Sequence, residues 1–493
     1  MICYNKNNYT LGELKMATLT KQRSRGRHAM DMTQGSIAKN IIVFAFPLLL
    51  GNLFQQLYNL VDTWVIGQTG NNAAFAAVGN VGQIINILIG FFLGFSSGAG
   101  VIVSQYFGAQ DEKNAKETAH TAIALTLVLS VVFTVVGILI TPTALKLMLH
   151  TDAEGADNQI FIEARTYLYI YFAGVISLMI YNMGSGLLRA IGDSRHPFYF
   201  LIAAAVTNIV LDLLFVFKFN MGTAGVALAT VIAQTLSAVL TVIALLKSDS
   251  YIKINIKELK FTKVHLIKIL KVGLPAAIQM ALTSFSNVFV QSYISAANIP
   301  GGVAVDQKMQ EVAMSSWTTY SKIDQFIFLP IQSIGLAVTT FVGQNLGVGD
   351  TSRAKKGTYI ALAMAFASAI ILIIPIIIFA PLWASIFNAI PDVVKNSALL
   401  LRYFSPFYVC CCVNQVLSAA LRGSGNTKAP MIIMLCTFVG FRQIALYIIS
   451  NYISNDLIPI GFSYPLGWIA CATTLLIYFG RFDMSKTRLV ESK

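Results

Sequence analysis

Apolar stretches of about 20 residues or more, the length a helix needs to cross the hydrocarbon core, recur from Ile37 to Gly480. Within a bilayer every backbone N–H and C=O must be satisfied inside the protein, which leaves only helices and closed barrels. Stretches such as AIILIIPIIIFAPLW show none of the period-two alternation of a membrane barrel. With 56% hydrophobic and 12% charged residues, the chain also departs from soluble domains, which carry about twice that share of charge. The pattern predicts an all-α polytopic membrane protein with twelve transmembrane helices, at 38–66, 77–107, 115–141, 160–188, 194–217, 221–247, 262–295, 316–345, 353–381, 396–421, 427–452 and 458–480. We call these spans 1 to 12.

The net charge of +13 would raise the question of nucleic acid in a soluble protein, but here its placement answers it. Lys21, Arg23, Arg25 and Arg27 precede span 1, and Lys247, Lys253, Lys257, Lys260, Lys263, Lys268 and Lys271 fill the connection between spans 6 and 7. Arg189 and Arg195 lie between spans 4 and 5, Arg353, Lys355 and Lys356 between 8 and 9, and Arg422 and Lys428 between 10 and 11. All fall on one side, so the positive-inside rule puts them and both termini in the cytoplasm of a bacterial cell, with the spans in its inner membrane. The partners expected are lipid and small molecules, without nucleic acid. Cys410, Cys411 and Cys412 are consecutive in one apolar span and point in different directions on a helix, so they read as small packing residues.

The chain repeats itself at about half its length. FAFPLLLGNLFQQLYNLVD resembles VGLPAAIQMALTSFSNVFV and aligns Pro47 with Pro275; VSQYFGAQDEKNAKE resembles VGQNLGVGDTSRAKK and aligns Gln105 with Gln344 and Gly108 with Gly347. LLRAIGDSRHP resembles AALRGSGNTKAP, with Arg189, Gly192 and Pro197 opposite Arg422, Gly425 and Pro430. Six spans form an even unit, so the copies insert in the same orientation, as two bundles related by a pseudo-two-fold along the membrane normal. The expected organisation is a basic, disordered N-terminus at 1–36, an N-lobe at 37–247, a linker at 248–261, a C-lobe at 262–480 and a tail at 481–493. The second copy carries an insertion around IPGGVAVDQKMQEVAMSS, where Asp306, Lys308 and Glu311 are expected to face outward. Gly90, Gly94 and Gly98 have the spacing of close helix packing.

A carboxylate at mid-bilayer costs about 2.5 kcal/mol or more and persists where it is paired or used. Asp62 in QLYNLVDTWVIG and Asp212 in VTNIVLDLLFVF stand in such positions, each with a polar neighbour four residues earlier, Tyr58 and Asn208. Thr230 of span 6 adds a hydroxyl. Two acids sharing a low-dielectric pocket cannot both ionise cheaply, which makes a proton carrier, while the same oxygens are the hard ligands an alkali cation prefers. A hydrogen-bonding role between helices is the alternative. Lys322, Asp324 and Arg442 are the comparable charges of the second half, read as an internal ion network. Gln55, Tyr58, Gln279, Met280 and Asn287 lie on spans 1 and 7, where the lobes are expected to meet around a substrate cavity.

With the 6+6 repeat, the LP or FP start of spans 1 and 7, and the motifs VGQNLGVGD and LRGSGNTKAP, the chain resembles the multidrug and toxic compound extrusion (MATE) family over residues 35 to 480. It is most similar to the DinF-like branch, whose acids and amide of spans 1 and 5 fall at Asp62, Asn208 and Asp212, with its span-6 Thr at Thr230. The NorM-like branch has a span-7 Glu where this chain has Thr283. The resemblance implies an antiporter exporting cationic amphipathic drugs against H+ or Na+, with no other cofactor, by alternating access of two lobes, Asp62, Asn208, Asp212 and Thr230 holding the coupling ion and span 1 bending at Pro47; a monomer is expected. A flippase for a lipid-linked precursor is the rival reading, and would call for a basic cavity. An enzyme is excluded on the residues: His28, His120, His150, His196 and His265 are scattered, and no HExxH, nucleophile elbow or phosphate loop occurs.

Overall fold

The computed structural model describes residues 29–69, 71–149, 159–298 and 307–490 and is almost wholly helical there. The twelve expected spans are present at Ile37–Gly67, Asn72–Gly108, Glu112–Leu149, Gln159–Ala190, Arg195–Lys218, Gly222–Lys247, Lys263–Ser295, Gln307–Val348, Thr351–Ile378, Pro391–Gly423, Lys428–Ile453 and Leu457–Arg481. The expected boundaries differ most at one end of spans 2, 3, 8 and 10, which extend about five to nine residues further, while spans 4, 5 and 11 keep their expected ends and are interrupted inside. Span 4 turns by 50° between Ala173 and Val175, where Gly174 lies so close to Val231 that a Cβ would overlap it. Spans 5 and 11 contain π-helical turns at Leu214–Lys218, Leu435–Phe441 and Ile449–Ile453. Span 8 begins earlier than expected, at Gln307, so most of the second-copy insertion belongs to a helix. Residues 299–306, with Asp306, lie outside the described residues, and Glu311 is exposed.

Spans 1 to 6 and 7 to 12 pack as two bundles, and the seam between them is built mainly from pairs other than spans 1 and 7. Span 2 packs along span 7, span 8 along span 1, and spans 2 and 8 cross each other. The glycine spacing explains the closeness: a Cβ at Gly94 or Gly98 would overlap the backbone at Ala276 or Gly273. At the end bearing the basic loops the crossing is nearly symmetric. A Cβ at Gly108 would strike the Gln344 carbonyl, and one at Gly347 the Gln105 carbonyl.

Two short terminal segments close this end. Residues 29–36, expected to be disordered, are packed instead: Met32 is fully buried, donates its N–H to Gln344 Oε1 at 2.9 Å and accepts from Arg353 and Asn345. The tail does the same across the repeat, with Leu489 N–H donating to Gln105 Oε1 at 2.8 Å and Arg488 to the Gly347 carbonyl at 2.6 Å. Each glutamine also donates into the opposite lobe, Gln105 to Gly423 O and Gln344 to Ala190 O, both at 3.1 Å. The linker after span 6 is ordered too, held by Asn255 N–H on His120 Nε2 at 3.0 Å and by the Lys116–Glu258 ion pair. At the other membrane face, Asn298 pairs with Asn455 and Leu457, which joins the 7–8 and 11–12 connections.

Candidate functional site

In the N-lobe, helix periodicity brings the sequence-derived candidates together. Asp62 lies five residues before the end of span 1, and Asn208 and Asp212 lie one turn apart on span 5, just ahead of its π-helical turn. All three are buried, and Asp62 faces both Asp212 and Asn208. The set is rich in acceptors. Asp62 Oδ1, both oxygens of Asp212 and both amide atoms of Asn208 are buried without a hydrogen-bond partner of ordinary geometry. Two facing carboxylates offer each other no donor; the Asn208 amide can serve Asp62, and a proton or a bound cation would satisfy the oxygens left over, each of which costs about 1–3 kcal/mol when buried alone. None of these three residues forms an ion pair among the described residues. What this arrangement can do is bind a proton or a dehydrated cation.

The other candidates sort differently. Thr230 is buried close by, yet its hydroxyl donates to Val226 O at 3.0 Å within its own helix. Tyr58 stands within electrostatic reach of Asp62 and beside Gln55, which puts both with the N-lobe acids. Gln279 is buried in the C-lobe, donates to the Met434 sulfur at 2.7 Å, and leaves Oε1 without a partner. Met280 is half-buried with its carbonyl against Gly90, Asn287 is exposed, and Thr283 bonds the Gln279 carbonyl. Span 1 remains one continuous helix through Pro47. A cleft of about 350 Å³ lies beside that proline, between Phe46 and Tyr199, but its lining contains no acid. Sequence reasoning missed Tyr167 of span 4, which lies against Thr230 and within reach of Asp62 and Asp212, and Tyr171, whose buried hydroxyl has no partner. Their spacing of four in TYLYIYFA was the available signal.

In the C-lobe the expected ion network of Lys322, Asp324 and Arg442 does not form. Asp324 accepts a hydrogen bond from the Tyr408 hydroxyl, which is 3.2 Å from that of Tyr320. Arg442 donates to Ser286 Oγ at 2.7 Å and stacks on Tyr464, its guanidinium carbon 4.7 Å from the ring centroid. Lys322 is half-buried and joins neither. The partners differ: Asp324 is taken up by Tyr408, and Arg442 by Ser286 and the face of Tyr464.

The chain matches the sequence profile of the MatE family over residues 47–214 and 275–448, so each half of the repeat carries one copy. It is 27% identical over 459 residues to a probable multidrug resistance protein, YpnP, of Bacillus subtilis, covering 93% of this chain and 98% of that one. Among solved structures it superposes with a TM-score of 0.83 on an outward-facing multidrug resistance MATE transporter of the MOP superfamily, at 23% identity, covering 94% of this chain and 99% of that one. A MOP-superfamily transporter from Pyrococcus furiosus, described as having a binding pocket of reverse polarity, superposes at 0.84 and 22% identity, covering 93% and 98%.

Proposed function

We propose a reaction for a chain that belongs to the MatE family, spans the membrane many times and is a transporter rather than an enzyme: export of organic, mainly cationic amphipathic compounds in exchange for H+ or Na+. The observation that carries this reading is the pair of facing, buried carboxylates Asp62 and Asp212, with no basic partner among the described residues. When the incoming ion occupies the pair, the site loses its negative charge and its attraction for a cationic substrate; when the ion leaves, the attraction returns. Mutual exclusion of this kind turns an ion gradient into export if the two lobes expose the site alternately to each side. The setting is the inner membrane of a bacterial cell, with both termini and the basic loops in the cytoplasm, in agreement with the positive-inside distribution.

Asn208 orients Asp62, and Thr230 with Tyr167 completes the polar wall. The test is uptake of a fluorescent organic cation into proteoliposomes under an imposed proton gradient and then a sodium gradient, for wild type and Asp62→Asn. Gradient-driven transport in the wild type, lost in the variant, names the coupling ion. Full transport and coupling by Asp62→Asn at wild-type protein levels would remove the acid pair from the mechanism. No movement of any cation under either gradient would favour a flippase for a lipid-linked precursor.

A further inference from the structure

The internal repeat carries the polar neighbours of the N-lobe acids onto the C-lobe, where one of them becomes a cation; the acids themselves, fifteen residues beyond Pro47 and Pro197, fall opposite Val290 and, allowing the extra residue, Leu446. Tyr58 stands eleven residues beyond Pro47, and Ser286 eleven beyond Pro275. Asn208 stands eleven residues beyond Pro197, and Arg442 twelve beyond Pro430. The π-helical turn at Leu435–Phe441 intervenes only in the second case, and a π-bulge accommodates one extra residue. Span 7 therefore offers Ser286 and span 11 offers Arg442 at the positions that Tyr58 and Asn208 hold on spans 1 and 5, one turn before the acids, and the two are hydrogen-bonded at 2.7 Å. Gln443 joins them, donating to Ser286 Oγ at 2.8 Å.

Arg442 is 2% exposed, and among the described residues no acid pairs with it. Its Nε is buried without a partner, and Gln279, on the same span as Ser286 and 4% exposed, leaves its Oε1 equally unpartnered. The groups facing Arg442 are Ser286 from span 7, Gln443 and Phe438 from its own span, and Tyr464 from span 12; Asp324 of span 8 is within electrostatic reach of the same Tyr464. The Tyr464 face offsets part of the charge. A guanidinium is nonetheless the side chain best suited to a carboxylate, which it binds through two parallel N–H donors. Removing one from water without an anion costs several kcal/mol.

We infer that Ser286, Arg442 and Gln443 form an anion site in the C-lobe that takes the carboxylate of an amphoteric substrate, the N-lobe acids taking its cationic end. The preferred cargo is thus a zwitterionic amphiphile, one molecule whose two charges address the two lobes. This rests on the exchange reading above and narrows its substrate class.

The experiment compares a xanthene dye bearing a free carboxylate with its methyl ester, a cation of nearly the same shape, in proteoliposomes containing the full chain. Arg442→Gln should raise KM for the acid by about tenfold or more, the range for loss of a charge-assisted hydrogen bond, and change KM for the ester less than about twofold. Arg442→Lys should restore part of the acid's affinity, because it keeps the charge and loses the fork. Equal losses for acid and ester, or none for either, would reduce Arg442 to a packing residue and overturn the proposal. If replacing chloride by gluconate changes ester transport in wild type but not in Arg442→Gln, the anion is chloride and the substrate assignment falls. Tryptophan quenching by each dye is measured alongside, because it separates the two readings. With no gradient-driven transport, ion exchange fails, while a preference for acid over ester that disappears in Arg442→Gln still establishes the site.

Discussion

The closure at the basic-loop end rests on two repeat-related side chains, so its strength can be worked out and removed stepwise. Gln105 and Gln344 are fully buried, and each makes two hydrogen bonds to backbone across the seam, one to a terminal segment and one to the opposite lobe. At a net 0.5–1.5 kcal/mol per bond, one glutamine holds the closed form by about 1–3 kcal/mol. Gln105→Ala and Gln344→Ala should each shift the closed-to-open ratio by about fivefold to a hundred-and-fiftyfold, and together by the product if the sites act independently. Spin labels at exposed Lys113 and Lys355, in a background lacking Cys436, would report the separation of the lobes by double electron–electron resonance. One short distance is expected for the wild type, a mixture for each single variant and a mainly long distance for the double variant. A double variant that loses thermal stability but keeps the short distance would refute the reasoning, because the glutamines would then be packing residues that do not discriminate between states.

Other consequences follow from the same contacts. Deleting the chain after Asp483 removes the Arg488 and Leu489 contacts and should lengthen the Lys113–Lys355 distance as Gln105→Ala does. Gly98→Val places side-chain atoms where Gly273 backbone now lies, and should lower the thermal midpoint or abolish expression, as measured by fluorescence-detected size exclusion. Asn208→Ala should weaken coupling-ion affinity by about two- to tenfold, the range for a neutral hydrogen bond, against roughly ten- to a hundredfold for Asp212→Asn, where a charge is lost. Equal effects in proteoliposome titrations would mean that Asn208 does more than orient Asp62.

What the sequence discloses here depends on whether a property is local. Hydropathy runs and basic loops locate the spans because each reflects a direct transfer cost in lipid, and Asp62, Asn208 and Asp212 stand out for the same reason. Spacing of four residues also predicts that Asn208 and Asp212 share a helix face. The break at Gly174 and the π-turns escape hydropathy, since they change backbone geometry within an unchanged apolar composition. The separate pairing of Asp324 with Tyr408 and of Arg442 with Ser286 and Tyr464 is equally hidden, because it depends on partners from other spans. Residues 29–36 look disordered because the chain ahead of Ile37 is basic and polar without an apolar run. Met32 and Leu489 pack apolar side chains against the two cores and are held as well through backbone N–H groups, which any non-proline residue possesses.

Span 1 links the two ends of this machinery. Met32, held by Gln344, lies just ahead of its first turn, and Asp62 lies in its last two turns. The intervening helix covers roughly 40 Å at 1.5 Å per residue. An ion reaching Asp62 is thus far from the contacts that close the opposite end, and a physical connection must carry its effect. Spans 2 and 7 are locked together by backbone contact at Gly94 and Gly98, so they move as one unit, whereas span 1 carries Pro47, where one helical hydrogen bond is missing and bending is cheapest. If span 1 is that connection, inserting two glycines after Leu50 should leave ion binding at Asp62 intact by equilibrium titration, yet abolish the ion-dependent change in the Lys113–Lys355 distance. If the distance still responds to the ion, the signal travels through spans 5 and 6 instead.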